Sequence, residues 1–166
     1  MATAGKNLSD HKREDLPADL QAIPNGSNYR IGIVVSEWNY DITGSLLAGA
    51  KEALLNAGVK PENLVIKHAP GTYELALGAK LMIASDKLDG VVAIGSVIQG
   101  ETKHFDFVCE AAAQGIKDVS LQTGKPVIFC VLTDNTHQQA LDRSGGKHGN
   151  KGVECAIACL KMLARF

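Results

Sequence analysis

The sequence predicts an α/β protein, a three-layer sandwich with a four-stranded parallel sheet. Short, almost wholly apolar runs alternate with longer segments of helical period, and such runs are typical of strands buried on both faces of a sheet. The segments between them are long enough for the right-handed crossovers that join parallel strands. The chain has 166 residues, which suits a single domain at roughly 150 residues per domain.

The predicted elements follow the order β-α-β-α-β-α-β, and two helical segments come after the last strand. The strands share an apolar composition and are expected at residues 31–35, 64–68, 91–97 and 126–132. The helices share apolar residues at helical spacing and are expected at residues 42–57, 73–84, 105–123, 138–142 and 150–164.

Residues 1–28 differ from the rest of the chain. They mix acidic and basic side chains, and Pro17, Pro24 and Gly26 interrupt any periodic pattern. The sequence therefore predicts an N-terminal arm over residues 1–28 and one domain over residues 29–166.

Composition and charge argue against nucleic acid and membrane as partners. The chain has 17 Lys and Arg against 18 Asp and Glu, so it lacks the basic surplus of nucleic-acid-binding proteins. No apolar run approaches the roughly 18 residues that a membrane span needs. The N-terminus has neither a signal-peptide core nor the Arg-rich, acid-poor character of a transit peptide, so a cytoplasmic location is expected.

The four cysteines predict neither a disulfide framework nor a metal site. Cys109, Cys130, Cys155 and Cys159 lie in hydrophobic stretches without CxxC spacing, and no histidine accompanies them at a ligand spacing. They are expected to be reduced, buried thiols.

Candidate functional residues are sought where ligands bind to open parallel sheets, in the crevice outside the carboxyl ends of the strands. These ends are residues 36–39, 69–74, 96–104 and 133–136. The third segment has the glycine spacing of a phosphate loop, but Glu101 stands where the lysine is needed, which argues against a nucleotide. A single anion at the start of the next helix is still compatible with the pattern, and so is an ordinary loop with Thr102 as the N-cap.

His104 combines a crevice position with this nearby anion site, so it is the candidate general acid and base. A surface histidine without a role is the alternative. Residues 143–152 form a basic segment with four glycines, which suits phosphate binding through Arg143 and backbone amides, or else is a solvated linker.

Trp38 directly follows the first strand, where a core residue is not expected, and its indole could stack on a planar ring. The alternative is packing beneath the N-terminal arm. Glu74 is expected one turn inside a helix that begins at residues 70–72, where it could bind polyol hydroxyls or favour the helix dipole.

Five sequence blocks at crevice positions together resemble the lumazine synthase family of riboflavin biosynthesis. They are SEWN at 36–39, PGTYE at 70–74, GETKHFD at 100–106, PVIF at 126–129 and DRSGGKHGNKG at 142–152. The likeness extends over about residues 30–166. It implies a flavodoxin-like fold and a cofactor-free condensation of 5-amino-6-(D-ribitylamino)uracil with 3,4-dihydroxy-2-butanone 4-phosphate. The products are 6,7-dimethyl-8-ribityllumazine, phosphate and water.

The resemblance also implies a role for each site residue. Trp38 would stack on the pyrimidine, and His104 would transfer protons. The pyrimidine ring and ribityl chain would be held by Thr72, Tyr73, Glu74, Ser96, Val97, Ile98 and Phe129. The butanone phosphate would lie against Glu101, through its backbone, and against Thr102 and Arg143. Gln99 and Cys130 depart from the family pattern, and Gln99 removes a positive charge near the phosphate.

The family further implies an active site shared between subunits, with Phe129 and the Arg143 loop supplied by the adjacent chain. A pentamer is expected, and we favour its assembly into a 60-subunit shell because residues 143–152 carry no insertion. Riboflavin synthase is a candidate partner. The helix at 105–123 is expected to pack around the five-fold axis through Val108, Ala111, Ala112, Gly115, Ile116 and Val119, or else to cover its own sheet.

Two other functions share this fold. One is a non-catalytic shell or carrier that binds a lumazine or flavin, against which the presence of His104 and Arg143 argues. The other is a flavodoxin-like FMN or signalling module, because a fold alone does not establish a function.

Overall fold

A computed structural model describes residues 16–166 and confirms the predicted α/β fold class. Its central sheet is parallel and has the strand order β2-β1-β3-β4. The strands are β1 (Ile31–Ser36), β2 (Leu64–Ala69), β3 (Gly90–Ile98) and β4 (Val127–Asp134). Residues 1–15 of the predicted arm lie outside the described part of the chain.

Helices cover both faces of this sheet, which gives the three layers. They are α2 (Tyr40–Asn56), α3 (Leu75–Asp86), α4 (His104–Thr123), α5 (His137–Arg143) and α6 (Lys151–Arg165). A one-turn helix, α1 (Ala18–Gln21), precedes β1 and buries no residue. Ile33 and Val35 of β1 pack with α2 and α6, whereas Val34 packs with α3 and α4. This alternation explains why β1 is apolar throughout, because both of its faces are buried.

Two short elements lie where the sequence predicts other structure. A hairpin of β5 (Ser144–Gly146) and β6 (Gly149–Asn150) lies inside the basic segment expected to be a loop. Glu74 ends a 3₁₀ turn, Thr72–Glu74, so its expected place one turn inside a helix is wrong. The helix α3 begins only at the next residue.

Half of the α4 residues expected at a five-fold axis are instead buried within the chain. Ala112, Ile116 and Val119 are buried, and Ile116 and Val119 pack in the core with residues of β3 and β4. A Cβ atom on Gly115 would lie 2.8 Å from the Cβ atom of Ala76, so this glycine lets α3 approach α4 within one chain. The alternative of a helix that covers its own sheet is therefore correct for these residues.

The thiols are mostly in the core, as expected. Cys130, Cys155 and Cys159 are buried and free, and burial raises the pKa of Cys159 to about 12. Cys109 is only half-buried, so the expectation of burial is wrong for this residue. Between residues 16 and 166, no helix combines the length and apolar character needed to cross a membrane.

Candidate functional site

A cleft of about 570 Å³ opens at the carboxyl edge of the sheet, beside the starts of α3 and α4. Its lining combines aromatic, hydroxyl, carboxylate and imidazole groups with apolar side chains. The lining residues are Trp38, Asn39, Gly71, Thr72, Tyr73, Glu74, Ser96, Val97, Ile98, His104 and Val108. The crevice rule for parallel sheets therefore located the cleft correctly.

Trp38 stands at the mouth of this cleft as an exposed aromatic plate. Its side chain is 71% exposed, so residues 16–28 do not pack over it. The chain is fixed on both sides, because Glu37 N donates to Ala69 O at 2.9 Å and Asn39 Nδ2 donates to Ser96 O at 3.0 Å. Asn39 has a φ of 55°, which turns the backbone sharply into α2. The tight turn leaves the indole free to stack on a ligand.

Another wall of the cleft is formed by the 3₁₀ turn that precedes α3. Thr72 is buried, and a Cβ atom on Gly95 would lie only 2.7 Å from its hydroxyl, so glycine is needed for this close approach. Tyr73 is 62% exposed and Glu74 is also exposed. A tyrosine and a carboxylate on one turn present hydrogen-bonding groups suited to the hydroxyls of a polyol.

The floor of the cleft contains an unsatisfied hydroxyl. Ser96 is 3% exposed, and its Oγ has no hydrogen-bond partner among the described residues. Buried polar atoms are normally paired, so this hydroxyl is available to a polar atom of a ligand. Val97 and Ile98 continue the strand and give the floor its apolar part.

His104 is the first residue of α4 and is exposed at the rim of the cleft. Its backbone N–H donates to Thr102 Oγ1 at 3.4 Å, although the residue that caps the helix is Lys103 rather than Thr102. The amino end of a helix carries a partial positive charge, which favours an anion beside this imidazole.

Four predicted site residues do not line the cleft of their own chain. Glu101 and Thr102 are exposed in the turn that leads to His104. Phe129 lies on β4 and is 39% exposed, and Arg143 ends α5. Arg143 Nη1 donates to Gln139 O at 2.9 Å and lies 3.7 Å from Asp134 Oδ1.

Three lining residues were not predicted. Asn39 and Gly71 lie within the quoted blocks, and Val108 lies one helical turn after His104, so adjacency to Trp38, Thr72 and His104 could have identified them. Within residues 16–166, no three His, Cys, Asp or Glu side chains are grouped as a metal site would require.

The matching family model and the similar proteins carry the same name. The model of the 6,7-dimethyl-8-ribityllumazine synthase family matches residues 28–166. A 6,7-dimethyl-8-ribityllumazine synthase of Flavobacterium johnsoniae is 56% identical over 98% of this chain and 82% of its own length. The enzyme of the same name from Christiangramia forsetii is 56% identical over 98% and 93%. That from Cytophaga hutchinsonii is 50% identical over 99% of both chains.

Proposed function

Because the chain belongs to the 6,7-dimethyl-8-ribityllumazine synthase family, we propose that the cleft beside His104 is the pyrimidine-binding half of its active site. The protein is a transferase of riboflavin biosynthesis that acts on small-molecule substrates. It condenses 5-amino-6-(D-ribitylamino)uracil with 3,4-dihydroxy-2-butanone 4-phosphate. The observation that carries the proposal is one cleft in which an aromatic plate, polyol-binding groups and an imidazole lie together.

The pyrimidine fits the cleft with its ring at the mouth and its ribityl chain inside. Trp38 offers an exposed aromatic face, and offset stacking on a planar ring adds about 0.5 to 1.5 kcal/mol beyond area burial. The Ser96 hydroxyl and the Glu74 carboxylate are free to pair with ribityl hydroxyls. Val97 and Ile98 cover the apolar part of the ring.

His104 moves the protons of the condensation. The 5-amino group adds to the ketone carbon and water leaves, which forms a Schiff base. Loss of a proton and of the phosphate then gives an enol, and its keto form is attacked by the ribitylamino nitrogen to close the ring with loss of a second water. Each step needs a proton added or removed near the cleft, and an imidazole does both near pH 7. Holding the two substrates together lowers the remaining barrier.

The phosphate of the second substrate is bound by groups from two chains. Glu101 and Thr102 precede His104, and their backbone lies beside the positive end of α4. Arg143 is suited to phosphate by its planar guanidinium, but it is absent from the cleft of its own chain, as is Phe129. An adjacent subunit supplies both residues in this proposal.

A shared site requires an oligomer, and we propose a cytoplasmic pentamer that assembles further into a 60-subunit shell. Riboflavin synthase is the proposed partner, because it consumes the lumazine. Exposed apolar side chains support a contact between chains over α3 and α4. They are Leu77, Leu81, Phe107 and Leu121, each more than half exposed. We propose that the contact between chains uses these exposed side chains instead of the α4 face predicted from the sequence.

Light scattering on a sizing column tests this assembly. A mass near sixty chains is expected, because the segment between α5 and α6 is only a short hairpin. A mass near five chains would reject the shell and retain the shared site. A mass near one chain would reject the shared site as well.

Trp38 provides a direct test of pyrimidine binding. It is the only tryptophan, so titration with a substrate-analogue pyrimidine should quench its fluorescence as the ring stacks on the indole. Trp38→Ala should weaken pyrimidine binding by at least about 2- to 15-fold, because the stacking energy of roughly 0.5 to 1.5 kcal/mol is lost together with the buried area. Tyr40→Ala is the matched control, since Tyr40 is exposed nearby but outside the cleft. Saturation without quenching would contradict the stacking.

A further inference from the structure

Asp134, at the end of β4, carries a buried carboxylate with almost no partners. The residue is 7% exposed, and its Oδ2 has no hydrogen-bond partner in the described part of the chain. Its Oδ1 lies 3.7 Å from Arg143 Nη1. Burial raises the pKa of Asp134, and the charge of Arg143 opposes this effect. A carboxylate so poorly compensated is costly, which indicates a role other than stabilising the fold.

Backbone pairing fixes the main chain of Asp134 at the edge of the sheet. Asp134 pairs with Ile98 in the β3–β4 register, and its carbonyl accepts a hydrogen bond of 2.9 Å from Gln99 N. The strand β4 therefore continues beyond its apolar residues, and Asp134 lies at the carboxyl edge of the sheet.

The guanidinium of Arg143 is held at one end only. Its Nη1 donates to Gln139 O at 2.9 Å, and the same nitrogen faces Asp134. Neither Nε nor Nη2 donates a hydrogen bond to a residue between 16 and 166. The side chain is 26% exposed, so the guanidinium keeps access to solvent. Two free donors on one edge of a guanidinium form the geometry that binds a phosphate through two parallel hydrogen bonds.

We propose that Asp134 is a positioning residue for Arg143: its carboxylate holds Nη1 inward so that the opposite edge of the guanidinium faces the phosphate of the butanone substrate. This inference rests on the proposed phosphate role of Arg143. Asp134 touches neither substrate, because an acidic side chain against the phosphate would repel it. Its charge acts through Arg143 alone.

Calorimetric titration of the assembled protein with inorganic phosphate tests the proposal. Asp134→Asn keeps the side-chain volume and removes the charge, and it is expected to weaken phosphate binding by about 3- to 30-fold, as for coupled neighbouring groups. Arg143→Ala should weaken binding at least as much, and the double variant should bind no more weakly than Arg143→Ala. Phosphate binding by Asp134→Asn at the wild-type affinity would overturn the proposal, and so would further weakening in the double variant.

The same titration distinguishes the role of Asp134 from the phosphate role of Arg143 on which it rests. Wild-type phosphate affinity in Arg143→Ala would contradict the proposed function of Arg143. Weak binding in Arg143→Ala together with normal binding in Asp134→Asn would contradict only the role of Asp134.

Steady-state kinetics exclude a merely structural effect. In Asp134→Asn the KM for the butanone phosphate should rise by the same factor as the phosphate Kd, with kcat and the KM for the pyrimidine unchanged. Equal changes for both substrates would overturn the proposal. Asp134→Ser removes the same charge with a smaller side chain and serves if the asparagine variant misfolds. Failure of both variants to fold would assign Asp134 to stability and contradict the proposal.

Discussion

His104→Ala is expected to slow lumazine formation by about 10- to 1,000-fold. Removing a positioned acid and base typically costs on the order of 10² to 10⁴ in rate, and spontaneous condensation of the substrates reduces the measured loss. The side chain is exposed at the start of α4, and it makes none of the core contacts of the fold. The thermal midpoint should therefore stay unchanged, and the pyrimidine affinity should change little because Trp38, Glu74 and Ser96 are still present.

The rate is followed by the absorbance and fluorescence of the lumazine product at saturating concentrations of both substrates. His68→Ala is the matched control, because His68 is also exposed at the end of a strand but does not line the cleft. It should turn over at the wild-type rate. Wild-type turnover by His104→Ala would remove this residue from the mechanism.

Arg143→Ala is expected to impair the use of the phosphorylated substrate alone. A charge-assisted hydrogen bond contributes roughly 1.5 to 3 kcal/mol, so the apparent affinity for the butanone phosphate should fall by about 10- to 150-fold. The affinity for a pyrimidine analogue should be nearly unchanged, since Arg143 does not line the cleft that holds Trp38.

Calorimetry with each ligand separately checks this selectivity. Arg165→Ala is a suitable control, because Arg165 is an exposed arginine at the end of α6 that bonds only to Leu20 O among the described contacts. The folding of Arg143→Ala should also be checked, because this substitution leaves the buried Asp134 carboxylate without its nearby cation. An equal loss of affinity for both ligands would refute the phosphate role of Arg143.

Most of the fold could be predicted because the strands are buried on both faces. The predicted strand at residues 31–35 differs from β1 by a single residue, since its apolar run ends where the polar crevice begins. The end of β4 could not be predicted in this way. Thr133 and Asp134 are polar and look like a loop, yet they continue the ladder with Val97 and Ile98. The ion pair of Asp134 with Arg143 was missed for the same reason.

The helix α4 shows the limit of periodicity as a guide to partners. Apolar residues at helical spacing identify a buried face, but they do not say whether it is buried within the chain or between chains. Ile116 and Val119 satisfy the pattern by packing on their own sheet, whereas Phe107 and Leu121 remain exposed on the same helix. The hairpin at Ser144–Gly146 was missed because a segment rich in glycine and lysine has little strand propensity.

The predicted site residues that line one cleft are those that follow neighbouring strands of the sheet. Trp38, Thr72, Glu74 and His104 follow three different strands, and the shared carboxyl edge of a parallel sheet brings them into one cleft. Arg143 does not line this cleft, and its proposed contribution requires a second copy of the chain.

Mixed assemblies of these two impaired variants test the proposed shared active site most directly, with the butanone phosphate held below its wild-type KM. Chains carrying His104→Ala and chains carrying Arg143→Ala are refolded together in equal amounts, and the rate of lumazine formation is compared with that of each variant alone. A site with His104 from one chain and Arg143 from its neighbour is intact at about a quarter of the interfaces in a randomly mixed ring. We expect the mixture to recover about a quarter of the wild-type rate. A mixed rate no higher than the average of the two separate variants would contradict a site built from two chains.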